Sequence, residues 1–224
     1  MIQLIVFDMA GTTINENNVV YKTLQKSINK FGYNFSLEEV LLHGAGKEKH
    51  QAIKDIIASQ PSTKKNEVES LPIFNDFSEL LKITYQNLEV ATFPETELVF
   101  KKLKERGVKI ALNTGYNRKT ALQLLNKLNW KEGNQYDALI TASDVEKGRP
   151  EADMIYKAME LFHISEARNV VKVGDSIIDI QEGKNAICGI TIGVTTGAHT
   201  KEQLKSVNPT FIIDSLPELL QKLF

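Results

Sequence analysis

Chemistry-bearing side chains stand where apolar runs of this chain stop. Leu4-Ile5-Val6-Phe7 ends abruptly at Asp8, and the small and hydroxylated residues Met9-Ala10-Gly11-Thr12-Thr13 follow. Four consecutive apolar residues suit a strand of a parallel sheet covered on both faces, and such sheets bind ligands just beyond the carboxyl ends of their strands. Alone, Asp8 reads better as a cap on a turn, by roughly three to one. The pattern recurs, however. Leu112 leads to Asn113-Thr114-Gly115, the run ending at Ile140 leads on to Lys147-Gly148-Arg149-Pro150, and Val170 to Val173 lead to Gly174-Asp175-Ser176-Ile177-Ile178-Asp179. Thr114 and the amides around Gly115 suit phosphate oxygens, with Gly11 and Thr12 as further expected substrate contacts. Arg149 has the fork that matches a phosphoryl group. Each segment has a plain alternative: a surface loop around Arg149, a helix cap at Asp175, a surface carboxylate at Asp179.

Together, a nucleophilic Asp, a Thr, an Arg and an acidic pair, each at a strand end, fit phosphoryl transfer through an aspartyl intermediate assisted by Mg2+. Asp8 and Asp175 are the expected oxygen ligands. A cation is needed because a carboxylate approaching an anionic phosphoryl group meets repulsion of about 1 to 4 kcal/mol per charge pair at about 4 Å.

The elements that position these residues follow from periodicity. Val20, Leu24, Ile28 and Phe31 recur at helical spacing. Ser36-Leu37-Glu38-Glu39 is a capping box opening a second helix, and Gly44-Ala45-Gly46 interrupts it. A third helix is expected from Lys47 through Ala52, Ile53, Ile56 and Ile57. A loop over Ser59 to Pro72 then leads to a fourth helix carrying Phe77, Leu80, Leu81, Thr84 and Leu88. From Phe93 onward strands alternate with helices to the C-terminus, the signature of a parallel sheet with helices on both faces. The expected fold is therefore α/β: a Rossmann-like doubly wound core of residues 1–14 and 92–224, with an all-helical cap of residues 15–91 inserted through hinges at 14–18 and 89–93.

The four strand-end segments together resemble the haloacid dehalogenase superfamily, with Asp8 at its nucleophile, Thr114 at its hydroxyl position, Arg149 at its basic position and Asp175 with Asp179 at its acidic motif. The resemblance implies a metal shell of Asp8, the Ala10 carbonyl and Asp175, supported by Asp179. Phosphatases of that family carry a second Asp two residues after the nucleophile as general acid and base, where this chain has Ala10. Proton donation to an alkoxide leaving group is typically worth about 10²- to 10⁴-fold, so its loss matters for phosphate esters and less where the leaving group is carbon. Asp8 to Thr13, Gly148-Arg149-Pro150 and Met154-Ile155-Tyr156-Lys157 narrow the resemblance to the phosphonoacetaldehyde hydrolase subgroup. Its members use a cap lysine to form a Schiff base with the substrate aldehyde. Gly44-Ala45-Gly46-Lys47-Glu48-Lys49-His50 resembles that lysine segment, with Lys47 at the imine-forming position and His50 three residues later as a substrate contact. A helix beginning at Lys47 would set its amine in the first turn, where the positive dipole end disfavours the ammonium, and Lys49 is the competitor on another face. The rival function is a phosphatase of small phosphate monoesters, like phosphoglycolate phosphatases, in which the lysine is only an electrostatic contact. From another class, the fold could serve binding or assembly alone.

The composition excludes other classes. The chain has 27 basic and 28 acidic residues among 224 and a formal charge of −1, so no global basic field points to nucleic acid. It has no apolar run of membrane-spanning length and no signal-peptide pattern, which makes a cytoplasmic location the expectation. Cys188 is single, excluding an internal disulfide, and its apolar neighbours suit a buried, inert thiol. The four histidines show no zinc spacing. The expected partner is a small phosphonate or phosphate substrate, with pairing of cap surfaces in a homodimer as a further possibility.

Overall fold

A computed structural model describes residues 1–60 and 70–224. Most of the loop expected over Ser59 to Pro72 lies outside the described residues. Strands β1 (Leu4–Asp8), β4 (Lys109–Thr114), β5 (Ala138–Thr141), β6 (Val170–Gly174), β7 (Ile190–Val194) and β8 (Phe211–Ile213) form one parallel sheet in the order β5-β4-β1-β6-β7-β8. The chain builds outward from β1 through β4 to β5, then returns to the other side of β1 with β6. The strand order thus reverses at β1, and a crevice opens between the carboxyl ends of β4, β1 and β6.

Every residue of β1 is buried, as the uninterrupted apolar run requires. Ile5 and Phe7 face one core, shared with α5 (Thr96–Glu105) and α6 (Arg118–Lys127) through Phe100, Leu103 and Leu124. Leu4 and Val6 face the other, filled by Met154, Ile155 and Ala158 of α7 (Asp153–Leu161). Helices α8 (Ile177–Asn185) and α10 (Glu218–Leu223) fall where the apolar pattern places them, while the short α9 (Lys201–Lys205) is an addition. Its signal was the capping box of Thr200 and Gln203.

Between β1 and α5 lie four helices: α1 (Val19–Lys30), α2 (Leu37–Gly44), α3 (Lys49–Ala58) and α4 (Ser70–Gln86). α1 packs on α4 and α2 on α3 through Val20, Leu24, Val40, Ile53, Ile56 and Phe77. The capping box at Ser36 and Glu39 is formed. Two helix starts differ from expectation. α4 already includes Ser70 and Pro72, which were expected to lie in the loop before it. α3 begins at Lys49 rather than Lys47, because the Glu48 carboxylate accepts from the amides of His50 and Gln51 and fixes the cap there. Where the chain enters and leaves these helices, β2 (Ile14–Asn15) pairs antiparallel with β3 (Ala91–Thr92).

Glu16, next to this ribbon, is 2% exposed, and its carboxylate accepts from the Val20 amide at 3.2 Å, serving α1 where the Asn18 side chain makes no cap bond. Burial pushes its carboxyl up to about 7, against the attraction of the Val20 amide and Lys49. A carboxyl raised on folding binds protons more tightly in the native state, so stability falls as pH rises from about 4.5 to about 7 and stays low above that. Glu16→Gln keeps an acceptor and removes the charge. It should stabilise the protein by up to about 3 kcal/mol at pH 8 and by almost nothing near pH 4.5, checked by urea unfolding at both pH values.

Candidate active site

At the end of β1 the chain turns sharply: the amides of Thr12, Thr13 and Ile14 all converge on the Met9 carbonyl. Gly11 has φ +93°, and a Cβ there would lie 2.4 Å from a carboxylate oxygen of Asp175, so glycine is required on two counts. Gly197 presses on the same carboxylate from the other side, where a Cβ would lie 2.0 Å away. Asp175 is thereby pinned, accepting from the Thr12 hydroxyl at 3.0 Å and from the Ala198 amide at 2.6 Å.

Asp8, Ala10, Thr114, Gly115, Arg149 and Asp175 line one small cavity beyond these strand ends. The Arg149 guanidinium, whose side chain is 1% exposed, organises it. It donates to Asp8 at 2.7 Å, to Glu182 at 3.1 Å, and to the Asn113 side-chain and main-chain oxygens at 2.6 and 3.0 Å, and it lies 3.1 Å from Asp179. Burial works against its charge, but the carboxylates of Asp179, Asp8 and Glu182 hold it firmly protonated. Lys172, fully buried in β6, reaches Asp179 at 2.9 Å, Glu182 at 3.1 Å and the Asn113 side-chain oxygen at 2.6 Å.

Lys172 and Glu182 were not singled out in the sequence, although both left a signal. A lysine inside the otherwise apolar strand Val170-Val171-Lys172-Val173 must meet acids, and Glu182 shares a helix face with Asp179 at i and i+3. Removing one partner of a buried ion network typically costs about 3–5 kcal/mol, because the remaining charges stay desolvated. Lys172→Met should therefore lower the melting temperature by about 10 °C or more, measured by calorimetry. A loss below about 1 kcal/mol would show that the network is dispensable for stability.

The carboxylates differ sharply. Asp179, despite complete burial, is held below the usual range by Arg149, Lys172 and the Ser176 hydroxyl. Asp8 is pushed up to about 6 by burial, with Arg149 opposing. Asp175 is driven well above the usual range by burial and by the charges of Asp8 and Asp179. Asp8, Asp175 and Asp179 present oxygens within 4.8 Å of one another. Of the three, Asp8 and Asp175 line the cavity, while Asp179 sits behind them held by Arg149, Lys172 and Ser176, so a cation in the cavity would meet the oxygens of Asp8 and Asp175. An all-oxygen set, crowded by like charge and short of neutralising partners, fits a hard divalent ion such as Mg2+.

On the opposite wall the structure corrects the expected lysine geometry. The Lys47 amine pairs with half-buried Asp55 and does not line the cavity; only its main-chain carbonyl comes close, 2.7 Å from where a Cβ on Gly115 would sit. Lys49 lines it instead, 7% exposed, its amine donating to the Lys47 carbonyl at 2.7 Å and lying 5.0 and 5.1 Å from the ring centres of Tyr21 and Tyr116. The helix starts two residues later than expected, so Lys49 takes the first-turn position. Burial lowers its ammonium to about 8, with Asp8, Glu48 and Glu16 opposing and Arg149 assisting.

Three other expected contacts also lie elsewhere. The Thr12 hydroxyl is spent on Asp175, and Gly11 backs the same carboxylate; neither lines the cavity. His50 bonds the Ser70 hydroxyl at 3.1 Å and packs on Phe74. Cys188 is half-buried and its thiol is pushed up to about 12 by burial, which leaves it unreactive.

Residues 5–192 match the family model described as haloacid dehalogenase-like hydrolase. Phosphonoacetaldehyde hydrolase of Latilactobacillus sakei subsp. sakei (strain 23K) is 31% identical over 228 residues, covering 97% of this chain and 82% of the relative. A protein of Caldanaerobacter subterraneus subsp. tengcongensis that is named as a pyrophosphatase is 28% identical, covering 98% of this chain and 94% of its own. Among solved structures, a phosphonoacetaldehyde hydrolase-like protein from Oleispira antarctica superposes with a TM-score of 0.83 at 21% identity, covering 99% of this chain and 91% of the other. That likeness bears on the fold.

Proposed function

The chain belongs to the haloacid dehalogenase-like hydrolases, and from that premise we propose that it cleaves the carbon–phosphorus bond of a small phosphonate with a neighbouring carbonyl, such as phosphonoacetaldehyde. The observation that carries this reading is Lys49: a buried amine with a depressed pKa lines the same cavity as Asp8, while Ala10 stands where a phosphatase would hold its acid.

The Lys49 amine adds to the substrate carbonyl, the carbinolamine oxygen takes a proton from solvent and leaves as water, and the nitrogen keeps its own proton, giving an iminium. An Asp8 carboxylate oxygen attacks phosphorus, the carbon–phosphorus bond breaks, and its electron pair flows into the iminium to form an enamine. Because carbon takes the electrons, no proton need reach the leaving group in that step, and Ala10 suffices. Thr114 and Arg149 hold the phosphoryl oxygens. Water then hydrolyses the aspartyl phosphate, the enamine is protonated on carbon, and a second water releases the carbonyl product and the free amine. Mg2+, held by Asp8, Asp175 and the Ala10 carbonyl with Asp179 fixing Arg149 and Lys172 behind them, would supply charge neutralisation between the attacking carboxylate and the phosphoryl oxygens.

Residues 15–91 act in this reading as the cap on a core of residues 1–14 and 92–224, with the β2–β3 ribbon as hinge. The lined cavity has a volume of about 10 Å³, enough for about one water, so the cap opens to admit substrate and closes to exclude solvent. The Gly46 segment is its latch: the Gly46 amide donates to the Tyr21 hydroxyl, and a Cβ at Gly46 would lie 2.6 Å from the Ser176 hydroxyl of the core.

The test is phosphate release from phosphonoacetaldehyde against phosphoglycolate, with Mg2+ or with EDTA. Turnover of the phosphonate that EDTA abolishes supports the reading. Hydrolysis of phosphoglycolate alone would replace it with phosphate monoester hydrolysis.

A further inference from the structure

A second cavity, of about 290 Å³, lies between α4 and α6, and Lys49, Gly115 and Tyr116 line both it and the small cavity at Asp8. Its α4 wall carries Phe74, Phe77, Leu81 and Tyr85, with Ser78 and Lys82 beside them. The buried hydroxyls of Tyr85 and Tyr116 on its walls are turned to each other, which leaves the aromatic faces toward the cavity's apolar side.

A carbonyl carbon has two substituents. If the carbon joined to Lys49 carries its phosphonomethyl group toward Asp8, its other substituent points to the far side of the amine, where this cavity lies. Hydrogen, the substituent in phosphonoacetaldehyde, would leave it unfilled, whereas a cavity of about 150 Å³ already takes a benzene ring. We propose that the preferred substrate is a 2-oxoalkylphosphonate, a ketone whose alkyl or aryl arm occupies the cavity walled by Phe77, Leu81 and Tyr85. This rests on the carbon–phosphorus reading above and specifies its substrate. The balance is R–CO–CH₂–PO₃²⁻ plus water giving R–CO–CH₃ plus hydrogen phosphate. The electron pair of the broken bond passes into the enamine on Lys49, its methylene carbon takes a proton to become the methyl group, and water frees the ketone.

The experiment compares 2-oxopropylphosphonate with 2-oxohexylphosphonate, ketones of like carbonyl reactivity, beside phosphonoacetaldehyde. Three added methylenes are worth roughly 50-fold when fully buried, so the longer ketone should exceed the shorter at least tenfold in kcat/KM. Leu81→Trp, which fills the cavity, should bring that ratio down to near one. If the longer ketone is no better, or worse, while phosphonoacetaldehyde is turned over, the substrate inference is overturned and the carbon–phosphorus reading stands. If none of the three is cleaved while phosphate esters are, both fall together.

Discussion

Lys49→Met should abolish phosphonate cleavage, with a loss on the order of 10³-fold or more in kcat, while Lys47→Met should stay within about threefold of the parent. The contrast follows from where the amines lie. Lys49 is buried beside the cavity that Asp8 lines, and Lys47 is paired with Asp55 away from it. The pH profile should carry the same signature. An amine titrating near 8 is roughly 10% free at pH 7, against less than about 0.1% for an ordinary lysine, so kcat/KM for the phosphonate should climb about tenfold between pH 7 and pH 9. Asp8, Glu48 and Glu16 favour the ammonium and Arg149 disfavours it, so removing the Glu16 charge should move the rise to lower pH. Equal losses in the two lysine variants would mean that neither forms an imine.

Asp8→Asn should remove turnover of every phosphorus substrate, on the order of 10⁴-fold or more, because an amide cannot form the acyl phosphate. It should not weaken the fold. Arg149 keeps Asp179, Glu182 and Asn113, and a carboxyl that burial pushes up to about 6 costs the native state stability at neutral pH. The expected result at pH 7.5 is an inactive protein with an unchanged or higher melting temperature, measured by calorimetry beside phosphate release. Lys172→Met should show a large loss of stability by comparison. An inactive Asp8→Asn protein that also melts far lower would make Asp8 a structural residue.

Much of this was readable in the residues. Asp8, Thr114, Arg149 and Asp175 converge because each follows a hydrophobic strand, and the run lengths left little choice about where those strands end. The sequence also indicated four helices between the first strand and the rest of the sheet. The choice between Lys47 and Lys49 was not readable with the same security, because it turns on a two-residue shift in the start of α3 that the Glu48 cap decides. Thr12 was misplaced for a different reason: its hydroxyl could face substrate or Asp175, and only the sharp turn at Gly11 selects the second. Lys172 and Glu182 went unnoticed because charged residues on a strand and a helix usually mean solvent, and here the sheet buries both.

The most direct test of the central claim is reduction of the enzyme with sodium borohydride during turnover of phosphonoacetaldehyde, followed by peptide mass mapping. Inactivation and an ethyl or phosphonoethyl group on Lys49 are expected, with Lys47 unmodified. Phosphate release that continues undiminished with no adduct, or an adduct on Lys47, would contradict that claim.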